Sequence, residues 1–128
     1  MSAGLCLLLA GHILAARLEV DRFTLAWVHS VEKIEWQEDW VVTPGGLDLI
    51  EARVAGSGAG MEVPADARRI DGGWAYRPGL PRQREVHLAR SGVVPDYRLC
   101  VGGSCSPLGR LAGGIADDVG VTLASCAP

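Results

Sequence analysis

Turn signals recur along this chain too often to leave room for long helices. Gly11, Thr43-Pro44-Gly45-Gly46, Gly56-Ser57-Gly58-Ala59-Gly60, Gly72-Gly73, Pro78-Gly79-Leu80-Pro81 and Gly102-Gly103 interrupt one short apolar stretch after another. Such punctuation marks reversals between strands. The stretches between them read as strands over residues 4–10, 12–20, 23–31, 34–42, 47–55, 74–76, 84–89, 97–101 and 120–124. Only residues 107–119 could hold a helix, and Gly109, Gly113 and Gly114 each weaken it by up to about 1 kcal/mol relative to alanine. The expected fold is therefore all-β, a single small domain over residues 1–128 whose antiparallel hairpins close into a barrel or sandwich, with at most one short helix.

Composition narrows the function classes. A chain that is 48% hydrophobic with 17 glycines can bury a core and is not disordered. The net charge of -3, with arginines scattered among acids and no basic stripe, argues against a nucleic-acid partner. Leu5-Cys6-Leu7-Leu8-Leu9-Ala10 resembles the apolar part of a signal peptide, but no Lys or Arg precedes it and Gly11-His12 breaks it. The expectation is no leader and no transmembrane segment, hence a cytoplasmic location by default.

Cys6, Cys100, Cys105 and Cys126 are even in number and permit disulfides. A two-residue turn at Gly102-Gly103 would place Cys100 directly opposite Cys105, close enough for a cross-strand bridge; the alternative is two reduced thiols. A Cys6/Cys126 bridge is less constrained. A four-thiolate zinc site fits worse, because structural zinc ordinarily uses two short cysteine knuckles.

The densest chemistry lies in residues 27–40. If Glu32-Lys33 is the tip of a hairpin, His29 lies opposite Trp36, Trp27 opposite Glu38 and Leu25 opposite Trp40. Alternation then gathers Leu25, Trp27, His29, Trp36, Glu38 and Trp40 on one face. A carboxylate among indoles is costly unless paired, so His29 and Glu38 could hold each other as a structural pair, or an indole N–H could satisfy the acid. Alternatively, Trp27, His29, Trp36, Glu38 and Trp40 line a ligand pocket. A small hydrolase or isomerase using His29 with Glu38 or Glu32 is a further alternative. Ser30 is no nucleophile for His29, since adjacent strand residues point to opposite faces.

Gly56, Ser57, Gly58, Ala59, Gly60 and Met61 could turn tightly and present backbone N–H groups to an anion, or could simply mark a bend in the sheet. No Walker ending follows them and no long helix opens there, so no nucleotide cofactor is expected. No metal is expected either, because His12, His29 and His87 lie on different strands. Asp71-Gly72-Gly73-Trp74 reads as a hairpin turn that delivers Trp74 and Tyr76 to one face.

The blocks at residues 23–33, Trp36-Gln37-Glu38, Gly56 to Met61 and Asp71-Gly72-Gly73-Trp74, with Cys100 and Cys105, resemble the bacterial family catalogued as domain of unknown function 1850. That family has no assigned activity. Its members are commonly encoded beside the substrate-binding protein and permease of TAXI-type TRAP transporters, which import small carboxylates. The resemblance implies a non-enzymatic accessory subunit whose partner is the TRAP permease or the TAXI substrate-binding protein, with a small carboxylate as ligand. Some relatives carry an N-terminal anchor and work outside the cytoplasmic membrane, and no such anchor is read here. Exposed strand edges would alternatively suit a structural assembly module.

Overall fold

A computed structural model of the chain describes residues 3–28, 34–56 and 64–127. Short apolar runs separated by turns give β1 (Gly4–Leu9), β2 (Ile13–Leu18), β3 (Arg22–Val28), β4 (Glu35–Thr43) and β5 (Gly46–Ala55). The second half adds β6 (Arg68–Ile70), β7 (Gly73–Tyr76), β8 (Glu85–Leu88), β9 (Arg98–Val101), β10 (Ser104–Pro107), the single-turn α1 (Leu108–Leu111) and β11 (Val121–Cys126). They form two antiparallel sheets, one in the order β2-β1-β11-β8 and the other β10-β9-β3-β4-β5-β7-β6. The architecture is all-β and sandwich-like, and neither sheet closes into a barrel.

The two sheets share one apolar core. Leu5, Leu7, Val121 and Leu123 of the smaller sheet meet Phe23, Leu25, Trp40, Leu47 and Leu99 of the larger one. Leu5, Leu7, Leu47 and Leu123 have no exposed surface, and burying each such side chain stabilises by about 1.5–3 kcal/mol. This core occupies only part of the larger sheet. Past Leu25 the same face continues through Trp27, Trp36, Glu38, Trp74 and Tyr76, all only partly buried.

Pairing of β3 with β4 sets Phe23 opposite Trp40, Leu25 opposite Glu38 and Trp27 opposite Trp36. The register expected from a tip at Glu32-Lys33 is thus off by two residues. The pairing itself gives the reason. Phe23 stacks on Trp40 and Trp27 on Trp36, each with ring centroids 6.4 Å apart, whereas the expected register would set Trp27 against an acid. Directly opposed aromatic pairs add about 0.5–1.5 kcal/mol each beyond their burial. A slip of two preserves the faces, so Leu25, Trp27, Trp36, Glu38 and Trp40 still share one. His29 and Glu32 lie outside the described residues.

The opposite face of the larger sheet is a polar lattice. Arg53 donates to both Asp39 oxygens at 2.6 and 2.9 Å, to Gln37 at 3.1 Å and to Glu51 at 3.0 Å, while Thr24 donates to Asp39 at 2.7 Å. Arg98 pairs with Glu35 and Arg68 with Glu51 at its two ends. The turns are tight where β5 and β7 meet neighbours: a side chain on Gly73 would collide with the Val54 carbonyl, and one on Gly46 with that of Gln83.

The stretch expected to allow a helix over 107–119 contains only α1, a single turn. Gly113 and Gly114, at φ of 95° and 79°, leave the helical region and end the turn. In the loop that follows, Arg90, whose side chain is 3% exposed, donates Nη1 to the carbonyls of Ala116 and Val119, both at 2.7 Å. Its Nε and Nη2 reach Asp96 at 2.9 and 3.1 Å, and Asp96 accepts a further bond from the Gly109 amide at 2.8 Å. Any side chain on Gly109 would strike this guanidinium.

Two disulfides join the chain. Cys100 faces Cys105 across the β9–β10 hairpin, with Cα atoms 4.0 Å apart. Cys6 and Cys126 link the first and last strands, with Cα atoms 5.8 Å apart.

Candidate functional site

The end of the larger sheet beyond the core carries the candidate site. β3 ends at Val28 and β4 begins at Glu35, so Trp27 and Trp36 form the last inward pair before the connection. In the next row along β4, Glu38 lies between Leu25 and Ala52, and Ala52 is followed by Tyr76. Ala52 itself is buried, while the carboxylate and the phenol on its two sides are each only partly buried. Tyr97, just before β9, tilts against Trp27 with centroids 5.9 Å apart at 52°.

Beside this pair opens a cleft of about 330 Å³. Trp27, Val28 and Tyr97 form one side, the segment 89–95 the other, and Arg90, Asp96 and Asp117 supply its charges. The Arg90–Asp96 pair fixes the segment that makes the far wall. Burial alone would raise the Asp96 carboxyl, but bonds from Arg90 and from the backbone amides of Gly109 and Tyr97 outweigh it and hold the carboxyl below its ordinary range.

Glu38 moves the other way. Burial pushes its carboxyl up, and the bond it accepts from Trp40 Nε1 at 3.2 Å does not offset this. Its charge, after burial itself, also raises the Tyr76 and Tyr97 phenols. Trp36 Nε1 is buried and has no hydrogen-bond acceptor among the described residues.

Of the residues singled out in sequence, Trp27, Trp36, Glu38 and Trp40 thus share a face but not one cavity. Trp27 lines the 330 Å³ cleft, whereas Trp40, 4% exposed and stacked on Phe23, borders a separate hollow of about 270 Å³ with Arg22, Thr24 and Asp39. Gly56 donates its amide to Gly72 at 2.7 Å, away from the cleft. His29, Glu32, Ser57, Gly58, Ala59, Gly60 and Met61 lie outside the described residues. Among the described residues no three His, Cys, Asp or Glu side chains cluster as a metal site would require, and no helix is long and apolar enough to cross a membrane.

Residues 23–108, which contain every strand of the larger sheet apart from Arg22 at the start of β3, and all but one of the cleft's lining residues, match the family described as domain of unknown function (DUF1850). The chain belongs to the DUF1850 family. No curated protein and no solved structure matches it. The matched span of this DUF1850 chain covers Trp27, Trp36, Glu38, Arg90, Asp96 and Tyr97 and stops before Asp117.

Sequence reading missed Tyr97, Arg90, Asp96 and Asp117. Tyr97 carried a usable signal, because it stands two residues before Leu99 and so on the inward face. Arg90 carried none, since its acceptors lie 6 to 29 positions away.

Glu38 gives a test of this DUF1850 site's electrostatics. A carboxyl raised on folding stabilises the fold below its unfolded value, and that contribution is lost as pH rises through the folded value. At pH 7 its charge is therefore a burden, and Glu38→Gln, which keeps an acceptor for Trp40, melts at a higher temperature than the native protein. The gain closes below about pH 4, where both side chains are neutral. Thermal melts across that range check it; a lower melting temperature at pH 7 would show the charge to be favourably paired.

Proposed function

We propose that this chain is a non-enzymatic binding domain, an accessory subunit of a TAXI-type TRAP importer, and that the Trp27–Tyr97 cleft is its working surface. The observation that carries this reading is the incomplete burial of the larger sheet's inward face past the core: Trp27, Trp36, Trp74 and Tyr76 are only partly buried there, and Trp27 borders the cleft beside Tyr97. Trp and Tyr concentrate binding energy at such places, offering large rigid area with few rotors to freeze. The transporter setting comes from the family, whose members are commonly encoded beside TAXI-type binding proteins and permeases. Two disulfides suit an oxidising compartment, the side on which anchored relatives work. The partner in this reading is the permease or the substrate-binding protein, and the small molecule is a solute that such importers carry, for which small carboxylates are the first probes.

The test presents the immobilised, fully oxidised chain to the purified permease and to the substrate-binding protein, and scans its melting temperature against small carboxylates. The expected result is capture of one of the two proteins, or a rise in melting temperature, lost in Trp27→Ala and also in Val94→Asp on the opposite wall. The second variant guards against a fold defect in the first. If neither protein is captured and no solute raises the melting temperature, the reading is wrong.

A further inference from the structure

We infer that the cleft beside Trp27 selects a cationic group, an alkylammonium or a guanidinium, and disfavours a carboxylate. This rests on the binding-domain reading and departs from it in the ligand: the family setting suggests a carboxylate, whereas the lining of the cleft favours a cation. Among the described residues, the lining carries one guanidinium against two carboxylates, those of Asp96 and Asp117. The guanidinium is not available to an incoming anion. Arg90 is buried, its Nε and one Nη2 proton are directed to Asp96, and both Nη1 protons go to the carbonyls of Ala116 and Val119. Four of its five N–H protons are committed and the side chain is 3% exposed, so the guanidinium offers an entering anion almost nothing, and the same clamp fixes the wall.

Asp117 is in the opposite condition. It lies at the exposed mouth, with no ion-pair partner among the described residues. It lines the same cleft as Trp27 and Tyr97, whose rings lie 5.9 Å apart at 52°. Tilted indole and phenol faces attract a cation through their quadrupoles, and a carboxylate at the rim completes the arrangement by which amines are held. Burial first, and then the charges of Glu38 and Asp96, disfavour the Tyr97 phenolate, and the Glu38 charge adds a negative field from the sheet side. Apolar Val28 and Val94 leave room for the alkyl part of such a ligand. An ammonium on a free solute and the side chain of a lysine or arginine in a partner present the same chemistry, and the test separates them.

The oxidised full chain is titrated, at matched ionic strength, with n-butylammonium chloride, sodium butyrate and a short peptide containing a single lysine, followed by calorimetry and tryptophan fluorescence. Butylammonium is expected to bind saturably and at least about tenfold more tightly than butyrate. Asp117→Asn, at an exposed position, weakens the ammonium by about threefold to tenfold and leaves butyrate no weaker, or slightly tighter. Tighter binding of the peptide than of butylammonium assigns the cation to a partner protein; the reverse assigns it to a solute. Butyrate binding as well as or better than butylammonium overturns the charge assignment while leaving the binding-domain reading standing. If no probe binds, the inference falls, and the capture experiment on the permease and binding protein decides separately whether the broader reading falls with it.

Discussion

Removing the bridge between Cys6 and Cys126, as the paired Cys6→Ser, Cys126→Ser variant, is expected to destabilise the fold by about 5 kcal/mol, against about 2 kcal/mol for removing Cys100–Cys105. The difference comes from loop length. Cys6 and Cys126 are 120 positions apart, whereas Cys100 and Cys105 are separated by 5. A cross-link removes chain entropy from the unfolded ensemble in proportion to the logarithm of the loop that it closes. The longer bridge also secures the seam at which β1 pairs with β11, with Cys6 opposite Ala124 and Gly4 opposite Cys126. Domains of this size are stable by only about 5–15 kcal/mol, so its loss consumes a large share of the total. Urea unfolding of the two double-serine variants measures both effects, and equal losses would contradict this account.

The second large effect is at the buried arginine. Arg90→Met is expected to cost about 3–5 kcal/mol, because it strands Asp96 and the carbonyls of Ala116 and Val119 without their donor. The same substitution changes the response to acid. Asp96 is held below its ordinary range in the folded state, so its contribution is present above the unfolded value near pH 4 and is lost as pH falls through the folded value. Without Arg90 that loss has largely happened already. The variant therefore loses less further stability between about pH 5 and pH 2 than the native protein does. Asp39, lowered chiefly by its bonds from Arg53, keeps its own acid sensitivity in both proteins and sets the remainder. Urea midpoints measured across that range separate the two contributions. Parallel pH profiles for the two proteins would show that Arg90 is not what holds Asp96 ionised.

The strands and their faces were legible because alternation at period two is a local property. Phe23, Leu25 and Trp27 point inward, Arg22 and Thr24 outward, and any even slip in register leaves that division unchanged. Register itself was not legible. It depends on whether Trp27 meets Trp36 or Glu38, a choice between two pairings with identical periodicity that the stacked aromatic pairs decide. The opposition of Cys100 and Cys105 could be read because Gly102-Gly103 is a two-residue turn. The Cys6–Cys126 pairing could not, since nothing local places the first strand beside the last. The same holds for the candidate site. Its indoles announce themselves by composition, but the far wall of the cleft is a loop shaped by Arg90 and Asp96, whose partners are distant in sequence. The apolar stretch at residues 4–9, which could pass for part of a leader, is the strand β1, with its centre buried between β2 and β11.

The four tryptophans offer the most direct test of the claim that the cleft at Trp27 is a binding surface. Their indole N–H resonances, assigned by single Trp→Phe substitutions, report separately on the cleft at Trp27, its stacked neighbour Trp36, the core at Trp40 and the far edge at Trp74. Titration with the alkylammonium, carboxylate and peptide probes is expected to move the Trp27 signal for whichever probe binds, and to leave Trp40, enclosed and bonded to Glu38, in place. Binding that moves Trp40 or Trp74 while Trp27 stays fixed would contradict it.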